Sequence, residues 1–157
     1  MDLFVAFKYL HIVSMFFFVA MAVSGELVIR RVATSRDVPA IRTTVGRVRL
    51  LTGPIATGLL LAGVVFGVIA AVAGEINLLA PWLILAYVAF IGAMAIGFTV
   101  TDPWVGRLEK AAAASAGGTP SEELLAVIDE PTARWGTWAL MALIATLVFI
   151  MVVKPLA

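Results

Sequence analysis

Two basic side chains lie about one helical turn apart near the start of a long apolar segment. Lys8 and His11 are three residues apart, so they share one face if the segment is a helix. His11 is the single histidine of the chain. An imidazole inside an apolar helix can ligate haem iron or hydrogen-bond to a neighbouring helix, and the residue types leave both interpretations open. Lys8 is close enough to the end of the segment to extend its ammonium group to the membrane surface.

A haem held by His11 would need a second axial ligand. Met15 follows one turn later on the same helix, so it cannot reach the opposite face of the same iron. Met151, near the end of the last apolar segment, is the candidate, because methionine is an established haem ligand. The alternative is His11 of a second copy, with the haem at a twofold interface. In either arrangement Lys8 would pair with a haem propionate.

The composition indicates a membrane protein. Apolar residues make up 62% and charged residues 13% of the 157 residues, and the mean hydropathy is +1.08. A soluble domain has about 45–50% apolar and about 25% charged residues, and a chain of this size would leave much of its surface in water. Cysteine is absent and histidine occurs once, which excludes disulfides, thiolate metal sites and multi-histidine metal sites within one chain.

Four segments are long enough to cross a hydrocarbon core, which takes about 20 apolar residues. They cover approximately residues 3–29, 50–73, 78–100 and 135–153. Backbone polar groups in lipid must be satisfied within the segment, so each is predicted to be a helix. The predicted fold class is all-α: one polytopic domain, a bundle of four transmembrane helices. One or two short cytoplasmic helices are expected in the 102–134 loop, lying at the membrane surface.

Charge asymmetry predicts the orientation. The connection between the first two spans carries six arginines and one acid, whereas the next connection carries only Glu75. The positive-inside rule places the arginine-rich connection in the cytoplasm. We therefore expect a multi-pass protein of a bacterial plasma membrane with both termini outside. Trp82 would lie at the outer interface, and Trp104, Trp135 and Trp138 at the inner one. The arginines are interpreted as topogenic charge, and nucleic-acid binding is not expected.

Small residues predict how the helices pack. Gly63 and Gly67 form a GxxxG pattern in the second span, and the third span has a stripe at Ala89, Ala93 and Gly97. Small side chains at this spacing let helix backbones approach closely. One interpretation packs spans two and three together within the chain, and the other places the glycines in a homodimer seam. Separately, Glu26 and Arg30 are four residues apart and are predicted to form a helical ion pair.

Several short motifs resemble one known family. They are Phe7-Lys8-Tyr9-Leu10-His11-Ile12, Leu51-Thr52-Gly53-Pro54, Pro81-Trp82-Leu83, Asp102-Pro103 with Arg107-Leu108-Glu109, and the ending Met151-Val152-Val153-Lys154-Pro155. Together they resemble the bacterial family of predicted integral membrane proteins called domain of unknown function 2269. The resemblance covers nearly the whole chain and implies a membrane protein without an assigned activity.

The opening Lys8-Tyr9-Leu10-His11 also resembles the first helix of the membrane-bound, haem-dependent protoporphyrinogen oxidases and of copper-resistance D-type domains. This resemblance implies that His11 ligates haem b. The expected function is therefore haem b binding for electron transfer or oxidase-like chemistry. Two alternatives stay open: a non-enzymatic accessory or structural subunit, and an oligomeric channel or transporter. The expected partners are the lipid bilayer and a second copy of the chain or a larger membrane complex.

Overall fold

All regular elements are helical in the computed structural model, which describes residues 2–116 and 118–156. They are, in chain order, α1 (Leu3–Thr34), α2 (Val38–Ala73), α3 (Pro81–Ile96), a π-helical segment (Gly97–Thr101), α4 (Asp102–Ala114), α5 (Glu122–Ile128) and α6 (Pro131–Val153). The all-α prediction is confirmed.

Four helical stretches are long and apolar enough to cross a membrane: Leu3–Thr34, Val38–Ala73, Pro81–Ala114 and Glu122–Val153. The third comprises α3, the π-helical segment and α4, and the fourth comprises α5 and α6. Large apolar side chains such as Phe16, Leu61 and Val152 are more than half exposed. In a lipid solvent this exposure carries no hydrophobic penalty, because lipid tails are as apolar as these side chains. The protein is a multi-pass membrane protein.

The arginine-rich connection between the first two spans is mostly helical rather than an open loop. Only residues 35–37 separate α1 from α2. Asp37 is the N-cap of α2, where its carboxylate accepts a hydrogen bond of 3.0 Å from the amide of Ala40. Pro39 follows in the first turn, a position that needs no amide hydrogen. Both helices therefore extend beyond the apolar segments identified in the sequence.

These extensions build a core like that of a soluble protein at the arginine-rich end of the bundle. We call it the basic-end core. The sequence interpretation of Trp104 as an interfacial residue is wrong, because this side chain is 1% exposed and its Nε1 donates a hydrogen bond of 2.8 Å to the carbonyl of Val127. The core contains Ile29, Ala33, Val38, Ile41, Val45, Trp104, Val105, Leu108, Ala111, Ala112, Leu124, Ile128 and Ala133.

The two short helices predicted in the 102–134 loop are α4 and α5. The first of them, α4, follows α3 without a break through the π-helical segment. One side of α4 is buried in the basic-end core. Ser121 caps α5 by accepting a hydrogen bond of 3.2 Å from the amide of Leu124.

The four long helices pair as two hairpins. The most extensive contact is between α1 and α2, followed by the contact between α3 and α6. The expected pairing of spans two and three is therefore wrong. The second hairpin has its own cluster at the opposite end from the basic-end core, formed by Trp82, Leu83, Ala86, Ala89 and Ile150. The two hairpins meet mainly where α2 packs on α4, and to a smaller extent where α1 contacts α6.

Candidate functional site

The imidazole of His11 is held against the backbone of α2. Its Nδ1 lies 2.7 Å from the carbonyl oxygen of Gly63. A carbonyl oxygen only accepts hydrogen bonds, so Nδ1 carries the hydrogen and donates it. In the neutral imidazole the other ring nitrogen, Nε2, then has the free lone pair. The contact fixes both the orientation of the ring and its tautomer.

The GxxxG pattern makes this contact sterically possible. A Cβ atom added to Gly67 would lie 2.7 Å from Nδ1 of His11 and 3.0 Å from its Cε1. A Cβ added to Gly63 would lie 2.5 Å from the sulfur of Met15. The side chains of His11 and Met15, which lie one turn apart on α1, therefore fill the spaces next to Gly67 and Gly63. The helix that packs against the two glycines of α2 is therefore α1, which contributes the imidazole of His11 and the thioether of Met15.

The second ring nitrogen of His11 is open. Among residues 2–116 and 118–156, no side-chain nitrogen or oxygen is both fully enclosed and without a hydrogen-bond partner, and the one hydrogen bond found for the ring is made by Nδ1. His11 as a whole is half-buried. The Nε2 lone pair is thus accessible from outside the α1–α2 interface. An accessible imidazole nitrogen with its tautomer fixed by a backbone carbonyl has the form of a metal ligand.

The other residues predicted for a haem site lie apart from this contact. Lys8 is exposed, and its ammonium nitrogen is 5.4 Å from the centre of the Phe4 ring. Met151 packs against the cluster at the end of the α3–α6 hairpin that is opposite the basic-end core. In the part of the chain that the structure describes, no hydrogen bond or ion pair joins Lys8, His11 and Met151.

A second polar group lies deep in the bundle near the arginine-rich end. The predicted ion pair is confirmed, with Nε of Arg30 at 3.2 Å from Oε1 of Glu26. Thr137 of α6 joins it: its hydroxyl donates to the same Glu26 oxygen and accepts from Arg30 Nε at 2.6 Å. Glu26 and Thr137 are 8% and 5% exposed. The group connects α1 to α6, two helices that otherwise make few contacts with each other.

Arg30 extends this group to α4. Its second guanidinium nitrogen donates to the carbonyl of Ala133, and its guanidinium carbon is 4.2 Å from the centre of the Trp104 ring. A guanidinium above an aromatic ring is attracted by the ring's electron density. The carboxylate, the hydroxyl, the carbonyl and the indole together compensate one largely desolvated cation. Glu26 was detectable in the sequence as an acid within an apolar helix, whereas Thr137 has no distinguishing pattern.

Most of the arginines that predicted orientation also have structural partners. Arg36 pairs with Asp129 at 3.0 Å, and Arg49 pairs with Glu109 at 2.9 Å. Arg42 donates to carbonyl groups at the end of α4, at Ala112 with 2.7 Å and also at Ala113 and Ser115. A cation at a helix C-terminus satisfies carbonyls that lack helical partners.

A cleft of about 480 Å³ separates the two hairpins. Its wall is mostly apolar, and Glu26 lies at its polar end. Ala93 and Gly97, predicted as packing residues, line this cleft instead of contacting α2, whereas Ala89 belongs to the α3–α6 cluster. Its aromatic and thioether side chains are Met15, Phe18, Met21, Phe90, Met94 and Phe98, and its polar side chains are Glu26, Arg49, Thr52, Thr57, Thr101 and Asp102.

Comparison with known proteins places the chain in a family without defining its activity. No curated protein and no solved structure matches it. One family model, described as a predicted integral membrane protein and designated DUF2269, matches residues 5–155. The match includes nearly the whole of the four membrane-length helices and all of the residues of the basic-end core and of the cleft wall. The chain therefore belongs to the DUF2269 family of predicted integral membrane proteins.

Proposed function

We propose that the protein binds haem b in the membrane through Nε2 of His11 and serves electron transfer or oxidase-like chemistry. The observation that carries the proposal is the 2.7 Å contact between His11 Nδ1 and the Gly63 carbonyl. Ligating histidines characteristically donate their other N–H to a carbonyl or carboxylate, which fixes the ring and raises the basicity of the ligating nitrogen. Bound haem would supply a one-electron redox centre.

The polar energetics of the membrane support a ligand on this nitrogen. A lone pair without a hydrogen-bond donor is costly in an apolar medium. The Nε2 of His11 has no donor among the described residues, and it lies about 12 Å along the helix from Leu3 at about 1.5 Å per residue. Iron coordination would satisfy this lone pair. Lys8 is one turn nearer the helix start and is exposed, so its ammonium group is suited to a haem propionate.

A second ligand to the iron would come from one of two sources. Met15 and Leu147 line the cleft from α1 and α6, and His11 and Met151 lie one turn beyond them on the same helices. Met151 is therefore the candidate within the chain. The other source is His11 of a second copy, which would make the protein a homodimer or part of a larger membrane complex. We further propose that the arginine-rich end faces the bacterial cytoplasm and that both ends of the chain face outward.

The test is visible absorption of protein purified from haem-supplemented cells. We expect a Soret band that is lost in His11→Ala and altered in Gly67→Ala, because a methyl group there would displace the imidazole. Gly58→Ala is the matched control on the same helix, since no atom lies within 4 Å of its added Cβ. A parent protein without Soret absorbance would contradict haem binding. The His11–Gly63 bond would then stand as an interhelical contact in a non-enzymatic accessory subunit.

A further inference from the structure

The cleft between the hairpins has an apolar body and a polar end. Phe18, Phe90 and Phe98 line it together with Met15 and Met94. Aromatic rings and flexible thioethers form adaptable surfaces for apolar ligands. The volume of about 480 Å³ falls within the range of about 300–1,000 Å³ that is usual for small-molecule sites. The shape and lining therefore suit a lipophilic molecule of moderate size.

The hydroxyl groups of the cleft wall are available only as hydrogen-bond acceptors. Thr52 donates its hydroxyl hydrogen to the carbonyl of Val48 at 2.5 Å. Thr57 donates to Gly53 at 2.9 Å, and Thr101 donates to the carbonyl of Gly97 at 3.1 Å. Each hydroxyl has one hydrogen, which its own helix uses, so the oxygen lone pairs are what remains for a ligand.

The charged groups of the wall reinforce this preference. Oε1 of Glu26 receives the bonds from Arg30 and Thr137, whereas Oε2 has no partner among the described residues and is not enclosed. Since Glu26 is 8% exposed and lines the cleft, its open side is the cleft. Asp102 also lines the cleft, and no described side chain forms an ion pair with it.

Arg49, the cation among the described residues of the wall, is already paired. Arg49 binds Glu109 at 2.9 Å, just as Glu26 binds Arg30. The two ion pairs are neutral together, so the carboxylate of Asp102 leaves the cleft with an excess negative charge. A positively charged ligand would be attracted to this end, and an anionic ligand would be repelled.

We propose that the cleft binds a lipophilic organic cation. Its apolar body lies among the phenylalanines and methionines, and its protonated amine lies at the polar end, where Glu26 Oε2, Asp102 and the threonine oxygens are the available acceptors. This site is separate from the proposed haem site, because Lys8, His11 and Met151 are not among its lining residues. Each site can therefore be present without the other.

Two fluorescent probes of opposite charge test the proposal. Dansylcadaverine has a primary ammonium group, and dansyl-6-aminohexanoic acid carries a carboxylate on a chain of similar length. Both are titrated into the protein in nanodiscs of zwitterionic lipid, and empty nanodiscs are subtracted. Binding is measured as dansyl emission excited through tryptophan, since Trp104 contacts Arg30 next to Glu26. We expect the ammonium probe to bind at least tenfold more tightly. Equal binding of the two probes would overturn the proposal.

Variants locate the binding. Gly53 lines the cleft, and a Cβ added there meets no atom within 4 Å, so Gly53→Leu fills the cleft and should abolish binding. Gly58→Leu on the same helix has equally open space outside the cleft and should bind like the parent. Asp102→Asn, at an exposed position outside the Glu26 group, should weaken the ammonium probe about tenfold. Retained affinity in Gly53→Leu or in Asp102→Asn would contradict the site.

Discussion

The guanidinium carbon of Arg30 lies 4.2 Å from the centre of the Trp104 ring. This contact joins a residue from within α1 to the buried centre of the basic-end core. The same guanidinium binds Glu26 and Thr137, so one side chain links a polar group at the end of the cleft to the basic-end core. Removing one member of such a group leaves the others desolvated and unpaired, which costs more than the lost bond itself.

Thr137→Val should destabilise the protein by about 1–3 kcal/mol, the cost of leaving buried polar groups unsatisfied. Valine keeps the shape of threonine but cannot bond to Glu26 or Arg30. The measurement is thermal unfolding in detergent. Thr99→Val is the matched control, because the exposed Thr99 hydroxyl bonds only to the Ala95 carbonyl of its own helix. Equal melting of both variants would show that the group contributes nothing measurable.

Gly67→Ala should also lower stability, by about 1–3 kcal/mol as expected for overpacking. The added methyl group would lie 2.7 Å from Nδ1 of His11, so either the ring or α1 must move. A second change, His11→Ala, should relieve the clash. The double variant should therefore lose less stability than the sum of the losses in the two single variants. Additive losses in this double-mutant cycle would mean that the two residues are not in contact.

Arg42→Gln should increase amide hydrogen exchange in the last turn of α4. The arginine caps the carbonyls of Ala112, Ala113 and Ser115, and a cation at a helix C-terminus stabilises it by about 0.3–1 kcal/mol. Exchange measured by mass spectrometry should rise only in that peptide. Arg47→Gln is the control, since Arg47 is exposed and makes no side-chain bond among the described residues. Similar exchange in both variants would contradict the cap.

Single cysteines test the orientation, because the chain contains none of its own. Thr43 and Asn77 are both exposed, at opposite ends of α2. With the arginine-rich end inside, Thr43→Cys in intact cells should be protected from an impermeant thiol reagent, and Asn77→Cys should react. The reversed pattern would place the basic-end core outside the cell. Labelling after membrane disruption provides the control for accessibility.

Met151→Leu should shift the Soret band if Met151 is the second axial ligand, because ligand identity sets the spectrum and the reduction potential. Val152→Leu is the control, at an adjacent and exposed position. A band that is present in the parent and unchanged in Met151→Leu would instead favour His11 from two copies. The oligomeric state of the haem-containing fraction then becomes the deciding measurement.

Hydropathy was sufficient to predict the class of the fold. Lipid requires long apolar helices, so the number of spans follows directly from the length of the apolar runs. The pairing of the helices did not follow. Small residues reveal that α2 makes a close approach, but they do not identify the partner, and His11 and Met15 in fact fill the spaces at Gly63 and Gly67.

The basic-end core was missed because its residues resemble the continuation of membrane spans or a charged loop. Val38, Ile41 and Val45 lie among arginines, which suggested topogenic charge rather than a helix with one buried face. The amphipathic spacing was present, since these residues recur at three and four positions. Thr137 was missed for another reason: its partners are over a hundred residues away in the chain, and no local pattern encodes such a contact.

The pairing of the helices into two hairpins has a consequence for synthesis at the ribosome. Because α1 pairs with α2, the first hairpin can close as soon as its second helix enters the bilayer. The third helix pairs with α6, so it must wait in lipid until residues 102–153, which include α6 itself, have been translated. During that interval the aromatic and alanine face around Trp82 and Ala86, which later packs on Ile150, is exposed to the translocon or to bulk lipid.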